Sequence, residues 1–122
     1  MLLKVCGILY FYQMKLFFEN ITENIRVPVD FPLDAVLEQA LDIFEQLPED
    51  DGSSFGIVND TNMVIQFSKF NKFIWLVEIP DISKNGIYQS HCNRNQCIRL
   101  IEDIFSGADP FTLSEFKFES YL

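Results

Sequence analysis

His91 is the sole histidine of the sequence, Cys92 follows it directly, and Cys97 lies a short step further on. A His-Cys-x4-Cys cluster contains metal-ligand residue types. Zinc sites, however, take four ligands, usually from two paired knuckles, and the remaining cysteine, Cys6, is isolated. Cys-His nucleophilic catalysis needs a thiolate and a base in reach of each other. Adjacent strand residues point to opposite faces, so His91 and Cys92 pair poorly, while His91 with Cys97 is sterically feasible. Glu78, inside the apolar run Ile74-Trp75-Leu76-Val77-Glu78-Ile79, would need a partner or a raised pKa if buried. Gln66, in Val64-Ile65-Gln66-Phe67, is placed to cross-pair with a neighbouring strand. Together His91, Glu78 and Tyr88 make the best available enzyme hypothesis. The glycines form no phosphate-binding pattern, and Asp50-Asp51-Gly52 lacks calcium-loop spacing. The reading is therefore a non-enzyme with no catalytic residue, no metal site and no cofactor.

The acids are more informative. The net charge is −9, and between Arg26 and Lys69 there is no Lys or Arg. In that gap lie Asp30, Asp34, Glu38, Asp42, Glu45, Glu49, Asp50, Asp51 and Asp60, nine acids that account for the whole excess. Asp34, Glu38, Asp42 and Glu45 recur at helical spacing and should form one acidic ridge opposite an apolar stripe. Like-charge neighbours at that spacing cost about 0.2–0.5 kcal/mol each. A helix shaped only for stability would alternate Glu with Lys. The ridge is either a solubilising face or a docking surface for a cationic partner.

These residues need elements to hold them. Leu16–Phe18 reads as a short strand, and residues 21–29 as a second, in which Ile25, Val27 and Val29 alternate with polar neighbours and Pro28 marks an edge or an end. A helix is expected over about residues 32–47, with Asp30 as N-cap, Pro32 in the first turn, and Leu33, Val36, Leu37, Ala40, Leu41, Phe44 and Leu47 as its stripe. A β meander follows: Phe55–Val58, a turn at Asn59–Asn62, Met63–Phe67, a turn at Phe70–Lys72, and Phe73–Ile79 stopped by Pro80, with Ile87–Ser90 as a further strand. A second helix spans about 93–106, capped by Asn93 and closed by Gly107. Phe116–Glu119 alternates like a last strand. The fold class is α+β: a mostly antiparallel sheet, a meander, with two helices packed on one face, in a single domain over residues 1–122. The meander is apolar on both sides, with Phe73, Trp75, Val77 and Ile79 on one and Ile74 and Leu76 on the other. Trp75 belongs to the core, or would anchor an interface if it faced outward beside Phe73.

Composition narrows the class. The chain has 122 residues, 13 Phe, 4 Tyr and 1 Trp, far more aromatic surface than disordered chains carry. Strong negative charge excludes non-specific nucleic-acid binding and docking on anionic membranes. Three cysteines without a regular framework suggest a reducing, cytoplasmic compartment, in which the sequons at Asn20 and Asn59 have no meaning. Residues 1–12 are apolar but lack a cleavage site and stop short of a membrane span at Gln13 and Lys15. They read as an extra edge strand, an N-terminal arm, or an upstream addition if Met14-Lys15 is the true start.

From Met14 onward the chain resembles the small bacterial immunity proteins of polymorphic and contact-dependent toxin systems. The resemblance rests on layout: the early amphipathic helix, the meander carrying Met63-Val64-Ile65-Gln66-Phe67 and Trp75-Leu76-Val77-Glu78-Ile79, and the helix ending in Ile101-Glu102-Asp103-Ile104-Phe105-Ser106-Gly107 before an aromatic tail. It implies a cytoplasmic protein that binds and blocks a cognate toxin, often a basic nuclease. The charge supplies an independent physical motive, since acidic side chains steer a cationic cleft toward an inhibitor. The partner-binding candidates are Asp34, Glu38, Asp42, Glu45, Glu49, Asp50 and Asp51. The rival reading is a homo-oligomeric structural or adaptor protein that buries the spare face of its meander in a symmetric homodimer.

Overall fold

The computed structural model describes all residues except 1, 6–8, 13, 49–51 and 113–114, and describes 2–5 and 9–12 by main chain alone. The expected α+β architecture is present, as an eight-stranded antiparallel sheet and two helices. Strands β1 (Leu2–Val5) and β2 (Leu9–Tyr12) pair with each other as a separate two-stranded sheet rather than extending the main one. The main sheet comprises β3 (Met14–Asn20), β4 (Ile25–Val27), β5 (Leu33–Ala35), β6 (Ser54–Val58), β7 (Val64–Lys69), β8 (Ile74–Asp81), β9 (Gly86–Asn93) and β10 (Lys117–Ser120). Its order is β10-β9-β8-β7-β6-β3-β4, with β5 also on β3.

The meander from β6 to β9 forms because apolar residues alternate and Asn-rich turns separate the runs. Asn59 Oδ1 accepts from the Thr61 and Met63 main-chain N–H groups at 3.0 and 2.8 Å, and Asn62 adopts a positive φ of 63°. Asn71 Oδ1 does the same for Phe73 and Ile74 at 2.9 Å. Alternation puts Leu16, Phe55, Ile57, Ile65, Phe67, Trp75, Val77, Ile79 and Cys92 on one buried face. Helices α1 (Leu37–Glu45) and α2 (Arg94–Phe105) cover that face with Ala40, Phe44, Cys97, Leu100, Ile101, Ile104 and Phe105. Trp75 is core, 2% exposed, and does not face outward; Phe73 precedes β8 in the turn and is exposed.

Asn93 caps α2 as expected. Its side chain accepts from the Gln96 N–H, and Gln96 Oε1 accepts from the Asn93 N–H, both at 2.8 Å. Gly107, at φ 91°, follows the helix as a C′ residue. The first helix differs from its predicted span. It begins at Leu37, after Val36, whose N–H is accepted by Gln39 Oε1 at 3.0 Å, and ends at Glu45 rather than 47. Residues 33–35 are strand instead, because the edge of β3 at Met14–Leu16 takes them as ladder partners: Leu16 faces Leu33, Lys15 faces Asp34, and Met14 faces Ala35. Asp30 and Pro32 therefore fall in a loop, not in a helix start.

That loop is an insertion within one edge. β4 pairs with β3 through Phe18–Val27, and pairing resumes at Leu16–Leu33, so residues 28–32 stand opposite Phe17 alone. The strand predicted over 21–29 shrinks to Ile25–Val27, since Ile21–Asn24 is a turn with Asn24 at φ 56°. Pro80 does not stop β8, which runs on to Asp81. β7 pairs with β8 only across Trp75–Glu78, so Pro80 lies where one side of β8 has no ladder to break. β9 is longer than expected because Asp81 still pairs with Gly86 at its start, and Leu76, Trp75 and Ile74 pair with His91, Cys92 and Asn93 at its end.

Candidate functional site

Glu38, Asp42 and Glu45 lie on α1 and are exposed, while Ala40 and Phe44 occupy its buried side. Their spacing places them along one flank of the helix. Asp34 is not on this helix, as the sequence reading had it, but at the centre of β5. It borders that surface at the sheet edge, but alternation sets its side chain, with that of Lys15 across the ladder, on the sheet face away from the buried Met14, Leu16 and Ala35 and so away from α1. An open depression of about 470 Å³ is lined by Glu38, Gln39, Leu41, Asp42 and Glu45. A second, of about 260 Å³, is lined by Leu16, Leu33, Asp34, Ala35, Gln39, Asp42 and Ile43. Asp42 and Gln39 border both hollows, so they adjoin. Glu38, Asp42 and Glu45 thus form one surface on α1, and β5 borders it at the sheet edge. Glu49, Asp50 and Asp51 lie outside the described residues.

The floor of this surface was missed from sequence. Leu33, Ile43 and Leu41 are its apolar parts, and Leu33 remains 50% exposed because β5 is an edge strand. Gln39 has a structural task, closing the start of α1, and also sits between the hollows. The base-free segment is not base-free in space. Lys15 of β3 stands directly across the ladder from Asp34, a neighbour only the β3–β5 register could reveal. Glu38 in the first turn of α1 is favoured by the helix dipole; Glu45 at its end is disfavoured, and no base lies in that last turn.

The other candidates disperse. His91 is exposed on the uncovered face of the sheet, its ring 4.7 Å edge-on from Phe70. Cys92 and Cys97 are buried on the opposite face, so His91 meets neither. A hydrogen bond to Cys92, then burial, raises the pKa of Cys97 far above the ordinary thiol value, with Lys69 opposing weakly. Both thiols are packed in the core. Glu78 is half-buried on the uncovered face, stands opposite both Gln66 and Gln89, and accepts from Gln89 Nε2 at 2.9 Å. Tyr88 lies on the other face, against Phe111 and Phe118 at 4.8 and 5.1 Å. His91, Glu78 and Tyr88 therefore do not converge. Among the described residues no group of three His, Cys, Asp or Glu side chains could hold a metal ion. No helix among them is long and apolar enough to cross a membrane. No protein-family model, curated protein or solved structure matches this chain.

Proposed function

We propose that the protein is a stoichiometric inhibitor, an immunity protein that neutralises a cognate toxin with a basic cleft, such as a nuclease domain. The observation that carries this reading is the exposed acidic surface at Glu38, Asp42 and Glu45, with Asp34 at the neighbouring sheet edge, beside two adjoining hollows with apolar floors. Carboxylates there are free to make charge-assisted hydrogen bonds to Lys and Arg of a partner, and the apolar floors offer it contact area. Long-range attraction would raise the association rate, with strong dependence on ionic strength. The partner is obtained by pull-down from the native cell with the wild-type chain as bait. Reversing two central acids, Glu38→Lys with Asp42→Lys, should slow association about tenfold or more at low salt and flatten its salt dependence. An unchanged association rate in that variant, with its circular dichroism intact, would refute the reading.

A further inference from the structure

We propose that the protein self-associates through the outer edge of β10, two copies pairing antiparallel in the register that sets Phe118 opposite its counterpart. β10 lies at one end of the sheet and, among the described residues, pairs only with β9, Lys117 facing Gln89 and Glu119 facing Ile87. The Tyr121 N–H donates to the Asn85 carbonyl at 2.8 Å, which continues this ladder. In an antiparallel ladder alternate residues bond to one neighbour. Residues 117, 119 and 121 therefore direct their N–H and C=O groups to β9, and Phe118 and Ser120 direct theirs outward.

The two ends of the sheet are finished differently. At the β4–β5 end, residues 28–32 interrupt the strand with Pro28 and Pro32, a usual way to blunt an edge. β10 is a regular strand without proline, and all four of its residues are exposed. A lone Lys on such an edge would repel a second copy. Here Glu119 follows on the same face, and the alternation makes the strand self-complementary.

Charge then selects one register. A two-fold antiparallel pair must match outward-bonding residues with outward-bonding residues, so allowed registers differ by steps of two. Centring on Phe118 puts Lys117 opposite Glu119 of the second copy, twice by symmetry. These are non-hydrogen-bonded positions, where side chains approach most closely. The neighbouring registers put Lys117 opposite Lys117 or Glu119 opposite Glu119. On β9 the in-register neighbours of both charges, Gln89 and Ile87, are uncharged. Phe118 is held over Gly86 and against Tyr88, and so reaches the seam ordered. The occupant is a second copy of this chain. The acidic surface on β5 and α1 stays free at the far ends of the joined sheet.

Sedimentation equilibrium over a concentration series, at low and moderate salt, tests this. The wild-type mass should rise from 14.2 kDa toward the dimer value. K117E and E119K should each weaken dimerisation about tenfold or more, since each turns two attractive pairs into repulsive ones. The double variant K117E/E119K exchanges the charges and should restore the wild-type affinity. Both positions are exposed, so all variants should keep the native circular dichroism. A wild type that stays monomeric overturns the proposal. So do single variants that dimerise as tightly as wild type, or a double variant as weak as the singles. E38K/D42K should dimerise normally, which separates this surface from the acidic one.

Discussion

Phe44 is fully buried, and its ring lies 5.6, 6.0 and 4.8 Å from the rings of Phe55, Phe67 and Trp75. It joins α1 to three successive strands of the meander, so one side chain fixes the helix that carries most of the acidic surface. Phe44→Ala should cost about 3–5 kcal/mol through lost transfer energy and the cavity left behind. That is a large share of the stability of a domain this size. Urea unfolding measures it, and a loss below about 1 kcal/mol would mean that α1 is held by other contacts. At this scale the sequence was informative. Phe44, Trp75, Val77 and Ile79 lie where alternation and helical spacing put them, because a buried face demands the same period as its backbone. Phe73 has that period too, but its N–H bonds to the Asn71 side chain inside the turn, and the ring stays in solvent.

At the scale of elements, two glycines lie under aromatic rings, and their surroundings differ. The atoms nearest a Cβ on Gly56 would be those of the ring of Phe17, at 2.0 Å, its partner across the β3–β6 ladder. A Cβ on Gly86 would meet the Phe118 ring at 2.3 Å and also the Glu119 carbonyl oxygen at 2.5 Å. A ring can turn away; a main-chain oxygen moves only if the strand does. Gly86→Ala should therefore cost about 2–3 kcal/mol and loosen β10, while Gly56→Ala should cost about 1 kcal/mol. Hydrogen exchange should show lost protection confined to β9 and β10 for the first variant; equal effects from the two would contradict this. The predicted elements that failed did so for long-range reasons. The run 33–36 has a helical stripe, yet β3 offers an unfilled ladder at Met14–Leu16, and pairing prevails over local preference. Asn93 and Gly107 were legible because capping is local chemistry.

Across the whole molecule, charge is distributed along the sheet. The acids of β5 and α1 sit at the β3 side, while β10, with one Lys and one Glu, closes the other end. The presence of an acidic surface was readable from composition; its shape was not, because β5 meets α1 through tertiary packing and the β3–β5 register turns Asp34 toward Lys15 instead. A net charge of −9 concentrated in one region should oppose folding by self-repulsion. The like-charge helical neighbours Glu38–Asp42 and Asp42–Glu45 amount to about 0.4–1 kcal/mol at low ionic strength. Added salt shortens the reach of such repulsion to about 10 Å at 0.1 M. The unfolding midpoint should therefore rise by about 2–4 °C between roughly 10 and 200 mM NaCl. Glu38→Gln with Asp42→Gln should raise the low-salt midpoint and reduce that slope, since the central pair supplies much of the repulsion. Thermal scans at matched protein concentration separate this from dimerisation, which would shift the midpoint with concentration instead. If the slope is the same in both proteins, the acids are too well solvated to repel one another. Their attraction for a cationic partner, which obeys the same Coulomb law, would then be equally weak.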